Sequence, residues 1–192
     1  FDLIDKGVTK FQEEIQLIAT SAQQEAILEE MMEKVTKQWD NLDFVVLPYK
    51  DVKDLYVLGD TSEVVVSLDD SLVTINTVLG SRYVAGIRNY VDTWRAKLLH
   101  FSETLEEWQN CQRNWMYLEN IFGAEDIQKQ LPAESQKFLI VDRSWKQIMK
   151  RTFDQPIVLD CLEPLESGMT LLDAFTMNNE ALESIQKSLE EY

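Results

Sequence analysis

The chain is poor in the residues that usually do chemistry or break up a fold. In 192 residues there are two cysteines, one histidine, six glycines and four prolines. Cys111 and Cys161 alone make neither a disulfide framework nor a cysteine metal site, and the simple reading is a reducing, intracellular setting. No Gly-Lys pair and no Gly-x-Gly occurs, which excludes both fingerprints for cradling phosphates on backbone N–H groups. A histidine zinc site or a Ser-His-Asp triad would have to use His100, whose neighbours Leu99 and Phe101 are apolar and which has no ligand at a metal-binding spacing; Lys97 stands where a di-iron Glu-x-x-His motif needs glutamate. No apolar run approaches the ~18 residues of a membrane span. Basic residues are scarce too: 18 against 34 acidic ones, a net charge of −16. Such a surface repels DNA, RNA and other acidic polymers on average. The one basic cluster, Lys146, Lys150 and Arg151, reads as a solvated helix face. The acidic pairs Asp69-Asp70, Glu106-Glu107 and Glu190-Glu191 mark no pocket, and capping or solvation accounts for them.

What the chain does have is helical periodicity. Few glycines and prolines favour long regular elements. Ile4, Val8, Phe11, Ile15, Ile18 and Ala22 form a heptad seam, which slips and resumes at Leu28, Met32, Val35 and Trp39. One helix, or two with a short break, fits this stretch. Residues 40–66 change character. Phe44-Val-Val-Leu before Pro48, Leu55-Tyr-Val-Leu before Gly59-Asp60, and Val64-Val-Val are β-rich runs separated by turn residues, which predicts a small hairpin or meander. Ser67 to Gly80 is expected to be a short helix capped by Asp69 or Asp70, with Leu72, Ile75 and Leu79 on one face.

The strongest pattern runs from about Ser81 to Phe122. Val84, Ile87, Val91, Trp94, Leu98, Phe101, Leu105 and Trp108 alternate steps of three and four, and the seam continues through Trp115 and Leu118 to Phe122. A helix of ~40 residues would be ~60 Å long, more a strut than part of a compact enzyme. Gly123 is its expected stop. Pro132, with Glu134 in the first turn, opens another helix carrying Phe138, Val141, Trp145, Ile148 and Thr152. Pro156 and Pro164 bracket an expected extended link, Ile157 to Leu162. A last helix carries Leu172, Phe175, Leu182, Ile185, Leu189 and Tyr192. The expected fold is mainly α: an elongated bundle of long antiparallel helices with a β-hairpin or meander insert near residues 44–66. It is read as one elongated segment, helical over 1–39, β-rich over 40–66 and helical again over 67–192. Phe1 and the helical pattern running into Tyr192 suggest a piece of a much larger chain, with any targeting signal outside it.

One stretch is more specific than periodicity. Leu105-Glu-Glu-Trp-Gln-Asn-Cys-Gln-Arg-Asn-Trp-Met-Tyr-Leu-Glu-Asn-Ile-Phe-Gly-Ala-Glu-Asp-Ile-Gln-Lys-Gln-Leu-Pro-Ala-Glu-Ser resembles the linker of dynein heavy chains. So do Phe138, Val141-Asp142, Trp145 and Ile148-Met149 after it, and Pro48-Tyr49, Leu68-Asp69-Asp70 and Ser81-Arg82-Tyr83-Val84 before it. Trp115-Met-Tyr-Leu-Glu and Pro48-Tyr49 point to the axonemal rather than the cytoplasmic kind. Gln109-Asn110 departs from the pattern, where a more apolar residue is expected.

The resemblance implies that Trp108, Gln112, Trp115, Tyr117, Leu118, Glu119, Ile121, Phe122, Leu131, Pro132 and Trp145 are signature packing residues. It implies a mechanical lever, the N-terminal half of a helical linker that arches over a ring of six AAA+ modules and swings with the ring's ATPase cycle. The segment itself would be no enzyme and hold no cofactor, since ATP and Mg²⁺ belong to the ring. Its partners would be that ring, the rest of the linker and the tail, and indirectly other dynein subunits. Nucleic acid, membrane and direct microtubule contact are not expected. The location implied is the cytoplasm and cytoskeleton, in a ciliary or flagellar axoneme. The tips of the β-rich insert, at Asp51, Lys53, Asp54 and Asp60, are the expected ring-contacting surface. The competing reading is a static helical scaffold of spectrin or coiled-coil type. The β-rich insert and the lack of an internal repeat argue against it.

Overall fold

A computed structural model describes residues 2–192, with side chains from Thr9 onward. The order is α1 (Asp2–Asp40), β1 (Val46–Pro48), β2 (Tyr56–Leu58), α2 (Ser62–Leu79), α3 (Arg88–Phe122), α4 (Glu125–Gln130), α5 (Pro132–Asp154), a 3-10 helix (Val158–Leu162) and α6 (Leu171–Glu191). The fold is mainly α with a small antiparallel hairpin, as the sequence predicts. The chain divides into two compact units. Unit 1 is Phe1–Asp40 with Ser67–Leu98, and unit 2 is Asn41–Val66 with Leu99–Tyr192.

In unit 1 the helix from Asp2 to Asp40 is unbroken. Only the second part of the predicted seam is buried: Leu28, Met32, Val35 and Trp39. Ile4 and Val8 lie outside the described side chains, and Phe11, Ile15 and Ile18 are exposed. Trp39 Nε1 donates to Ser71 Oγ of α2 at 2.9 Å, and Gln38 Nε2 donates to Ser67 Oγ at 3.1 Å. These bonds satisfy buried hydroxyls that would otherwise cost stability. Ile75 and Val78 of α2 and Val84, Val91 and Leu98 complete this core.

Several local expectations are corrected, among them the helix expected from Ser67 with Asp69 or Asp70 as its cap, which starts at Ser62 and has both aspartates in its interior. Val64-Val-Val is not a strand but the first turn of α2. Asp60 Oδ1 accepts from the N–H and the hydroxyl of Ser62, and Glu63 sits in the first turn. That start signal, with buried Val64, Ser67, Leu68, Ser71 and Ile75 on one helical face (i, i+3, i+4, i+7, i+11), overrides the β-propensity of three valines. The long helix begins at Arg88, not Ser81. The residues between run as single turns, Val84 N to Ser81 O and Ile87 N to Val84 O, with Gly80 and Gly86 favouring loop over helix. The stretch Val158–Leu162 is a 3-10 helix, not an extended link. Its bonds are of the i to i+3 kind, with Asp160 N on Ile157 O and Glu163 N on Asp160 O. Only Ile157 is extended, bridged to Asp43. The short α4 is not visible in the periodicity at all.

Unit 2 is built on an aromatic core. Phe44 meets Phe101 and Trp108, with ring centroids 6.2 and 4.9 Å apart. Trp108 meets Phe175, Phe175 meets Trp145, and Trp145 stacks on Trp115 at 5.2 Å. Phe122 and Phe138 stack at 5.2 Å, tying the end of α3 to α5. On α6 the buried face is Leu171, Phe175, Leu182 and Ile185; Leu189 is half-buried, and Tyr192 is exposed.

Candidate functional site: a hairpin clamped to two helices

The antiparallel register pairs Val46 with Leu58, Leu47 with Val57 and Pro48 with Tyr56. Gly59 N donates to Val45 O and Tyr49 N to Leu55 O. Val46–Leu58 is therefore a non-hydrogen-bonded pair, and the polar groups of Leu58 point away from β1. Gln112 of α3 meets them. Its Oε1 accepts from Leu58 N at 2.7 Å and its Nε2 donates to Leu58 O at 3.0 Å. One side-chain amide thus takes the place of a third strand at the edge of β2. Two residues earlier, Tyr56 O accepts from Trp145 Nε1 of α5 at 3.2 Å. The Tyr56 ring stacks on Phe153 at 4.4 Å, and Tyr49 lies against Trp115 at 5.4 Å. Gly59 suits a close approach: a Cβ there would fall 2.8 Å from Val45 Cγ1 and 3.0 Å from Leu47 Cδ1, so those exposed side chains would have to shift.

The base of the hairpin is held, and its tip is open. Asp51, Lys53 and Asp54 are exposed. Lys50, Asp51 and Asp54 all have left-handed backbones, with φ of 55°, 54° and 59°, a conformation that suits Asp better than Lys. The Lys50 ammonium is held by Glu119 at 2.8 Å and by Asn120 Oδ1, and the bond to Glu119 raises its pKa. On the other side Lys150 lies 3.8 Å from Asp54 and 3.3 Å from Asp154. Asp60, also exposed, has its pKa lowered by the hydroxyl and N–H of Ser62. The predicted contact residues therefore fall into two groups. Asp51, Lys53 and Asp54 sit together on the tip, while Asp60 works as a helix cap.

Among the described residues, no cluster of three His, Cys, Asp or Glu side chains is placed to hold a metal. Burial pushes the thiols of Cys111 and Cys161 up to about 12, so both stay protonated at neutral pH and are poor nucleophiles. His100 is half-buried on α3. A hollow of about 350 Å³ lies along α6, lined by Glu180, Glu183, Ser184, Lys187, Ser188 and Glu191. The basic cluster is paired off: Lys146 with Asp142 at 2.7 Å, Lys150 as above, and Arg151 with the carbonyl of Glu163.

The sequence model of the family described as "Dynein heavy chain, N-terminal region 2" matches residues 1–192. The chain belongs to the dynein heavy chain family. It is 46% identical to human dynein axonemal heavy chain 6 over 185 residues, covering 96% of this chain and 4% of that one. It is 36% identical to rat dynein axonemal heavy chain 1 over 189 residues, 98% of this chain and 4% of the relative. With rat dynein axonemal heavy chain 5 the identity is 34% over 192 residues, 100% of this chain and 5% of that one. The chain thus spans about a twentieth or less of the length of these relatives.

The dynein-like signature series collects around the clamp and the core behind it. Trp108, Trp115, Leu118, Phe122, Leu131 and Trp145 are buried. Gln112, Glu119 and Ile121 are half-buried, the first two through their bonds to the hairpin. Tyr117 is 59% exposed, and Pro132, also exposed, starts α5. The polar departure at Gln109 has a reason: its Nε2 donates to Thr61 Oγ1 at 2.9 Å. Trp115 Nε1 donates to Asp142 at 2.9 Å. Trp108 Nε1, in contrast, is buried with no hydrogen-bond partner among the described residues. Sequence reasoning missed Lys50 and Asn179, whose Nδ2 donates to Glu107. Phe44 and Tyr56 were signalled, each by its β-rich run.

Proposed function

We propose that this segment is a section of the linker of a dynein heavy chain and acts as a lever, carrying conformational change from an ATPase ring to the tail. The observation that carries the reading is the clamp: an open, preformed tip on a hairpin whose base is fixed to α3 and α5 by Gln112 and Trp145. A lever needs a contact point whose displacement moves the body behind it, and α3, 35 residues long, extends ~52 Å. The tip at Asp51, Lys53 and Asp54 is the proposed contact with the ring of the same polypeptide. The segment turns over no nucleotide and needs no cofactor; ATP and Mg²⁺ act in the ring. Its acidic charge disfavours direct contact with the acidic microtubule surface, nucleic acid or anionic membrane. Further partners are the rest of the linker and the tail and, indirectly, other dynein subunits. The axonemal relatives favour a place in the cytoskeleton of a cilium or flagellum.

The test is a titration of residues 1–192 against a dynein motor ring lacking its linker, in nucleotide-free, ADP and ATP-mimic states. Affinity that changes with nucleotide, and that falls on Asp51→Lys/Asp54→Lys, is the expected result, because a lever moves only through contacts that differ between states. Equal affinity in all three states would replace the lever with a static scaffold.

A further inference from the structure

Phe11, Ile15 and Ile18 of α1 are 63%, 51% and 70% exposed, and Ala22 is exposed as well. Their steps of four, three and four are those of a coiled-coil seam. At 100° per residue, this stripe lies about 100° around the helix from Leu28, Met32, Val35 and Trp39, which are buried within unit 1. The upper stripe therefore faces a different direction from the contacts of the lower one. It also ends sharply, because the next two seam positions are Glu25 and Glu29. Single exposed apolar residues are ordinary, but a continuous heptad stripe marks an interaction site.

We propose that the Phe11–Ala22 stripe seats one helix of the heavy chain lying outside residues 1–192, packed knobs-into-holes. The relatives are about twenty or more times the length of the part aligned here, so the occupant can come from the same polypeptide. Charge disfavours a second copy. The flanking positions Gln12, Glu14, Ala19 and Ser21 carry one charge, and it is negative, on a chain of net charge −16. Two copies would bring like charges together. The occupant is thus a helix with an apolar three-four seam and a basic or neutral residue opposite Glu14. Ala19, Ser21 and Ala22 let it approach closely. This inference rests on family membership, not on the lever reading, and stands if the lever fails.

The test is hydrogen exchange of peptides covering residues 9–24 in the intact heavy chain and in residues 1–192 alone. Exchange at least tenfold slower in the intact chain is expected. Ile15→Asp should abolish that protection, Ile15→Ala should weaken it, and Leu17→Asp, on an exposed position off the stripe, should leave it in place. The conservative variant covers the case in which Ile15→Asp fails to fold. Equal exchange in both proteins would overturn the proposal. So would protection that survives both Ile15 variants, which would come from chain continuity alone. Sedimentation of residues 1–192 as a dimer that Ile15→Asp dissociates would make the occupant a second copy, and would overturn it too.

Discussion

Replacing Gln112 with alanine should detach the hairpin from α3. Leu58 is 5% exposed, and both of its main-chain polar groups bond to the Gln112 amide. Truncation leaves a buried N–H and a buried C=O without partners. Each orphaned group costs about 1–3 kcal/mol, whereas the bonds themselves contribute less. Partial rehydration at the edge of β2 relieves some of this, so a loss of about 2–4 kcal/mol is expected. For a chain this size that lowers the melting temperature by roughly 5–15 °C. The assay is urea denaturation followed by tryptophan fluorescence, with amide exchange at Leu58 read in parallel. Gln112→Glu makes the reasoning sharper. A carboxylate can accept from Leu58 N but repels Leu58 O; protonated, it can donate again. The folded state then favours the protonated form, so the variant's carboxyl pKa is raised, and its deficit should shrink as pH falls through that value. A Gln112→Ala loss below about 0.5 kcal/mol, in the range of neutral surface changes, would refute the claim that this amide closes the edge of β2.

Trp115→Ala should cost about 3–5 kcal/mol in the same denaturation assay, the usual range for emptying a buried aromatic site, and it also strips Asp142 of its indole donor. Lys50→Ala should leave the denaturation midpoint unchanged, since its ion pair is exposed and such pairs add little, yet amide exchange across residues 50–54 should quicken as the tip loses its tie to Glu119 and Asn120. Stability should also fall at high pH. The thiols of Cys111 and Cys161 are raised from 9.0 to about 12, so their contribution is intact below pH 9 and is lost between pH 9 and 12. By pH 10 each costs on the order of 1 kcal/mol, and Cys111→Ala/Cys161→Ala should flatten the stability slope above pH 9.

The parts of this structure that sequence made legible are those where one physical cause acts alone. The α3 seam is such a case: Val91, Leu98, Phe101, Leu105, Trp108, Trp115, Leu118 and Phe122 are buried and Trp94 is half-buried, because a helix side facing a core must repeat at 3.6 residues. Where two causes compete, periodicity and propensity mislead. Val64-Val-Val has strand-forming side chains, but the Asp60 cap and the three-four burial pattern behind it decide for helix. Phe11, Ile15 and Ile18 show the reverse failure. Their spacing predicts a seam, yet all three are exposed, because spacing alone does not say whether anything within these 192 residues covers it. The clamp was half legible. The resemblance selected Gln112, Trp115 and Trp145 as residues that matter, but nothing in a linear pattern says that the Gln112 amide reads both polar groups of Leu58, or that Trp145 reaches Tyr56, 89 positions away. Those bonds join residues far apart in the chain, and they are set by where the hairpin lands on α3 and α5. The same holds for the tip. Asp51, Lys53 and Asp54 were chosen for their turn-like composition, but the Lys50 tie that shapes the loop depends on Glu119 and Asn120, on a helix whose own pattern carries no trace of it. The geometry of the tip is therefore a product of the fold, and substitutions on α3 should alter it as effectively as substitutions in the tip.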